Sequence, residues 1–218
     1  MLSEAIIKKW SVALGCAVIM FSLFGCSSAK DKFNWQASES GPEGYPMQVV
    51  KGDFYYPEGG SLYIPDRATL HNGWGIGNSS HIVGPELKPL PNRLKITFFS
   101  YLENQFYHGD FKLPYETILK LFQEGYYSPK HQNNLTYDQI VVGISPGGSV
   151  AVWLSGIDRN TEIFFAKAEK ADIDWKRIND NPKYPRAEYV RLEIEDSLTP
   201  DEIKAIQENG IPLDKWEG

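Results

Sequence analysis

The longest apolar run, Trp10 to Phe24, lies near the amino end, directly behind Lys8 and Lys9. It falls short of the roughly 20 residues that a membrane-spanning helix needs. A short basic segment, an apolar run and then a small residue make the layout of a secretory signal. Farther along, the pattern changes to strand periods. Met47 to Tyr56 and Ser61 to Ile64 read as strands joined by Pro57-Glu58-Gly59-Gly60, a hairpin connection. Leu94, Ile96 and Phe98 alternate with Lys95 and Thr97, which predicts a half-buried strand. Gln105 to Leu113 is a second run rich in aromatics. Gly41 to Pro46 reads as a loop, and Pro65 to Pro91, with much Gly and Pro and little periodicity, as a long loop with one short strand.

Helical spacing first shows at Pro114 to Glu124, where Ile118, Leu121 and Phe122 share one face, Pro114 suits the first turn and Gly125 closes the last. Asp138 to Gly156 predicts a β-hairpin. Ile140 to Ile144 goes out, Ser145-Pro146-Gly147-Gly148 turns on glycines with positive φ, and Val150 to Leu154 returns. Thr161 to Lys167 and Tyr189 to Ile194 read as further strands. A final helix starts at Thr199, with Pro200 in its first position and Glu202 completing a capping box, and ends at Asn209-Gly210. The expected fold class is α+β and β-rich: an antiparallel sheet or two-layer sandwich with one or two packed helices.

The amino end sets the expected location. Leu23-Phe24-Gly25-Cys26 resembles the lipobox of bacterial lipoproteins. In that chemistry the Cys26 thiol takes a diacylglycerol as a thioether, Gly25 lets the peptidase reach the bond before Cys26, and the new amine is acylated. Residues 1–25 are then a signal peptide, 26–32 the lipidated cysteine and its tether, and 33–218 a single globular domain. Two or more acyl chains hold stably where one does not. Ser27 stands where an aspartate would retain a lipoprotein in the inner membrane, so the expected location is the periplasmic face of the outer membrane.

Composition narrows the function. The whole chain carries a net charge of −6. Removing residues 1–25 takes away Lys8, Lys9 and Glu4 and leaves the remainder one unit more negative. That balance argues against nucleic acid as a partner. Of the two cysteines, Cys16 lies in the apolar run and Cys26 would carry lipid, so no disulfide is expected in the domain.

Four groups of residues invite a chemical reading. Gly143-Ile144-Ser145-Pro146-Gly147 matches G-x-S-x-G, the nucleophile elbow of α/β-hydrolases. An elbow needs a helix after the serine, whereas Val150 to Leu154 reads as a strand. Pro146 also lacks the N–H that an oxyanion hole would use. A turn is the expectation. His71, His81, His108 and His131 are scattered over predicted loops and show no metal-ligand spacing, so no metal or other cofactor is implied. Glu103 and Asp110 flank an aromatic run as a glycosidase pair would, but charged residues at strand ends are ordinarily just solvated. Trp74, within Gly73-Trp74-Gly75-Ile76-Gly77, is expected to plug onto the core, with ligand stacking as the alternative. The candidate ligand contacts are Trp74, Tyr107 and His108; no catalytic residue is assigned.

Tyr63-Ile64-Pro65, Gly73-Trp74-Gly75, Leu90-Pro91, Ser100-Tyr101-Leu102-Glu103, Phe106 to Pro114, Tyr137, Pro146 to Val150 and Val152 to Gly156 together resemble an uncharacterised bacterial lipoprotein family, domain of unknown function 2931. The likeness spans about Phe33 to Ala168. The family brings no catalytic residues to carry over. Some lipoproteins of this general type are found beside antibacterial effector genes, which suggests immunity as one role. The leading expectation is a non-enzymatic, lipid-tethered protein that binds an effector or an envelope protein. The alternatives are a glycan or peptidoglycan binder and, further off, a periplasmic hydrolase.

Overall fold

Side chains that alternate along the strand runs meet between two sheets. A computed structural model describes residues 31–66, 68–78, 82–179, 181 and 183–216. The expected signal segment, Gly25 and Cys26 lie outside them. The first strands are β1 (Lys32–Phe33), β2 (Gln36–Ser40), β3 (Met47–Tyr55), β4 (Ser61–Tyr63), β5 (Thr69–Leu70), β6 (Lys88–Pro89), β7 (Arg93–Ser100) and β8 (Gln105–Lys112). Helix α1 (Tyr115–Glu124) follows. Next come β9 (Tyr126–Ser128), β10 (Asn133–Leu135), β11 (Gln139–Ile144), β12 (Ser149–Gly156), β13 (Arg159–Lys167) and β14 (Glu169–Ala171). Two helices end the chain, α2 (Arg186–Ser197) and α3 (Pro200–Asn209).

Of the two larger sheets one has the order β13-β12-β11-β2 and the other β14-β8-β7-β3-β4, with β5 also on β3, while β1 with β6 and β9 with β10 make two-stranded ribbons. Ile140, Val142, Ile144, Val150, Val152 and Leu154 from the first sheet share one buried cluster with Val49, Phe54, Leu94, Ile96 and Phe98 from the second. This is the expected two-layer sandwich. Ile118 and Phe122 bring α1 into the same core, where Phe122 meets Phe33 at 5.3 Å. A β-bulge leaves Val50 unpaired between Val49 and Lys51, and this resets β3 so that Phe54 again points inward.

Three elements depart from the sequence expectation. β2 pairs with β11 in parallel, so the first sheet is not wholly antiparallel. Tyr189 to Ile194 lies within α2 and is not a strand. Val190, Leu192 and Ile194 alternate with Arg191 and Glu193, which imitates strand period. Val190 and Ile194 also stand i, i+4 on a helix, and that face packs on the outside of the second sheet beside Phe99, Tyr101 and Phe106. The described residues thus hold three helices where one or two were expected. The stretch 65–91 contains two short strands, β5 and β6, where one was expected.

The end signals of α1 and α3 hold. The Thr199 hydroxyl accepts from the Glu202 N–H at 3.3 Å, while the Glu202 carboxylate accepts from the Thr199 N–H at 2.8 Å, completing the capping box. These bonds hold the Glu202 carboxyl below the usual range. Gly125 ends α1 with its N–H on the Leu121 carbonyl at 2.9 Å.

Candidate functional site

The strongest sequence motif turns out to be a hairpin corner. Ser145 ends the run of β11, Pro146 to Gly148 make one tight helical turn, and β12 follows at once. Ser145 is fully buried and its hydroxyl bonds to the Pro146 carbonyl at 3.3 Å. No nucleophile elbow exists here. Gly147 and Gly148 have φ of 74° and 82°, which only glycine adopts at low cost. A second serine, Ser149, accepts a hydrogen bond from the Lys167 ammonium at 2.9 Å, a pairing of the kind some hydrolases use. Ser149 is completely buried and sits directly across the ladder from Lys167, so the contact is a cross-strand bond without substrate access.

Glu103 secures the same corner. One carboxylate oxygen accepts from the Tyr107 hydroxyl at 2.8 Å, and the other accepts from the Gly147 N–H at 3.0 Å. The carboxylate therefore ties the β7–β8 connection to the β11–β12 turn. Tyr107 is 2% exposed and stacks on Phe98 at 5.3 Å, so it offers a ligand no surface. Burial, and then the bond to Glu103, push its hydroxyl well above the ordinary tyrosine range. The other proposed carboxylate, Asp110, is held by the Arg93 guanidinium, with nitrogen–oxygen distances of 2.6 and 2.5 Å. That bond draws the Asp110 carboxyl below its usual range. Each carboxylate has a separate structural partner.

His108 is half-buried on the outer face of the second sheet, with Nδ1 at 2.8 Å from the Thr97 hydroxyl. His71 and His131 are exposed, and His81 lies outside the described residues. Among the described residues no three metal-ligating side chains cluster. Trp74 lies edge-on to Trp153, with centroids 5.0 Å apart, and covers the outer face of the first sheet with Val141, Ala151 and Phe165. Gly75 and Gly143 let the two rings approach the backbone: a Cβ on either would come within 3.1 Å of Trp153. Trp74 is thus half-buried as a plug.

The described residues form several concavities, and two of them bear on binding. The first is a polar cleft of about 550 Å³ beside β2, with Gln36, Glu86, Asp138 and Gln139 on its walls. Desolvation lifts the Asp138 carboxyl above its usual range and lowers the ammonium of Lys88, which is wholly buried and donates to the Pro85 carbonyl at 2.9 Å. Among the described residues no aromatic ring lines this cleft for stacking. The second is a groove of about 520 Å³ between α2 and α3, floored by Leu102, Val190, Ile194, Ile203 and Ile206. Its volume is within the range of ligand pockets, and apolar side chains dominate it.

The position of the groove follows from how α2 is attached. The Arg186 guanidinium lies 5.4–5.5 Å from the ring centroids of Phe99, Phe106 and Trp175. It also donates to the Asn104 side-chain and main-chain oxygens at 2.7 and 2.6 Å. A cation among aromatic faces with two charge-assisted bonds is a firm anchor. At mid-helix the Thr69 hydroxyl donates to Glu193 at 2.8 Å. The strand-like alternation of Tyr189 to Ile194 hides this groove at the level of sequence. The usable signal was the apolar spacing of Val190 with Ile194 and of Ile203 with Ile206.

The profile of a family described as "Protein of unknown function (DUF2931)" matches residues 25–214. No curated protein and no solved structure matches the chain.

Proposed function

This chain belongs to the DUF2931 family of unknown function, and from that premise we propose that it is a lipid-anchored, non-enzymatic binding protein on the periplasmic face of the outer membrane. The observation that carries the non-enzymatic reading is the use of every candidate catalytic group in holding the fold. Ser145 is buried in a turn, Glu103 clamps that turn, and Asp110 is paired with Arg93. The anchor rests on the basic, apolar and Leu23-to-Cys26 pattern of the amino end. Five residues separate Cys26 from β1, a reach of roughly 20 Å when extended. The fold would therefore be held at the bilayer surface, with a protein of the envelope or an antibacterial effector as its partner.

Two measurements test the reading. Cys26→Ser should shift the protein out of the membrane fraction or leave it unprocessed; unchanged fractionation removes the anchor. Photo-crosslinking of the anchored protein in cells should trap a discrete protein adduct. Recovery of bound glycan from purified sacculi without any protein adduct would replace the reading with a glycan binder.

A further inference from the structure

We infer that the groove between α2 and α3 is a docking site for a basic, amphipathic helical segment of a partner protein. The inference rests on the reading that this protein binds a partner, and it specifies the surface and the chemistry.

Shape comes first. Ile203 and Ile206 stand three residues apart on α3, and Val190 and Ile194 four apart on α2, with Val190 buried at the base of the groove against the Phe99 ring cluster. They form two apolar stripes facing a common floor at Leu102. Two stripes at helical spacing leave a furrow that the apolar face of a third helix fills, with its own side chains at i, i+3 and i+4 between them. With 12 and 10 residues, the helices are about 18 and 15 Å long, enough for roughly three turns of an incoming helix. No residue of α3 is buried by the rest of the chain, although its apolar positions fall on one side.

Charge then selects the occupant. From Arg186 to Asn209, seven acidic residues stand against three basic ones, a net −4. Arg186 is turned away into its aromatic cage, and Arg191, on the groove wall, is already paired with Glu195 at 2.6 Å. Lys204 lies 3.8 Å from Glu208. Those pairs take up Glu195 and Glu208 as well, and Glu188, Glu193, Asp196, Asp201 and Glu202 leave the two helices net acidic. An apolar face bordered by lysine or arginine complements that surface, whereas a face bordered by carboxylates is repelled.

The test uses the full chain carrying Cys26→Ser, which cannot be acylated. The probes are a labelled 14-residue amphipathic peptide of leucine and lysine and its leucine and glutamate counterpart. Fluorescence anisotropy should show the lysine peptide binding at least tenfold more tightly than the glutamate peptide. Ile206→Glu should weaken the lysine peptide at least tenfold. Diffuse electrostatic attraction predicts the reverse, since this variant adds a negative charge. Ala187→Glu, at an exposed position of the groove wall, repeats the test without touching a half-buried side chain, and circular dichroism checks that both variants stay folded. Equal or tighter binding by Ala187→Glu, or equal binding of the two peptides, overturns the inference. If the groove fails in this way while the anchored protein still forms its crosslinked adduct in cells, the binding reading stands and the docking surface lies elsewhere.

Discussion

Glu103 separates a structural carboxylate from a catalytic one most sharply. Replacing it with alanine removes the acceptor of the Gly147 N–H at 3.0 Å and of the Tyr107 hydroxyl at 2.8 Å. Hydrogen bonds to charged groups contribute about 1.5–3 kcal/mol each. The carboxylate is only half-buried, so the lower end applies, and Glu103→Ala should cost about 3 kcal/mol. In a chain of this size 1 kcal/mol moves Tm by roughly 2–4 °C, which places the expected loss at about 6–12 °C. Glu103→Gln should cost about 1 kcal/mol. Its amide oxygen can accept from Gly147, and its NH2 can donate to the Tyr107 oxygen once the hydroxyl proton turns away. A double-mutant cycle with Tyr107→Phe, followed by urea denaturation, should give a coupling of about 1 kcal/mol. The reasoning fails if Glu103→Ala melts within about 2 °C of the parent, or if the cycle shows no coupling. A hydrolytic activity lost in the folded Glu103→Gln variant would put the residue in a catalytic role.

Three further predictions concern pH and packing. Burial holds the Tyr101 and Tyr107 hydroxyls well above the ordinary value near 10, so the fold favours their protonated forms. Their stabilising contribution is complete below the unfolded value and is lost as pH rises from there toward the folded values. The urea midpoint should therefore fall above about pH 10; a midpoint unchanged at about pH 11, where absorbance shows the tyrosines of the unfolded chain ionised, contradicts this. Gly143→Ala would bring a methyl group to 2.6 Å from the Trp153 ring and 2.9 Å from that of Trp74. It should cost roughly 1–3 kcal/mol, with less than additive loss when combined with Trp74→Ala; strict additivity in denaturation would refute the shared contact. Trp74→Ala alone should cost about 2 kcal/mol from the lost edge-on pair and burial. Sacculus binding lost without any change in Tm would return Trp74 to a ligand-stacking role.

What was legible along the chain was local. The capping box at Thr199, the stop at Gly125 and the turn at Pro146 to Gly148 each rest on residues within a few positions of one another, and each formed as read. The alternation in Leu94, Ile96 and Phe98 likewise marked a strand with one face inward, and all three are fully buried. Even the doubt over G-x-S-x-G was local, because Pro146 and the following strand argued against an elbow without any tertiary knowledge. β2 carried no such signal. Gln36 to Ser40 is short and polar, yet Ser38, Glu39 and Ser40 are buried, because the strand joins β11 in parallel across a long separation in sequence.

By itself, the sequence determined the β-rich class, the ends of α1 and α3, the hairpin corner and the leader-like pattern before Cys26. All of these depend on short-range backbone preferences and on side-chain period. Only the tertiary structure decided that Val190 and Ile194 lie on a helix, that Glu103 spends its carboxylate on a distant turn, and that two terminal helices leave an apolar furrow between them. A segment whose residues fit both the strand and the helix period takes the form whose apolar side has a surface to cover. Here that surface is the ring cluster of Phe99, Tyr101 and Phe106, set by strands some 90 residues earlier in the chain.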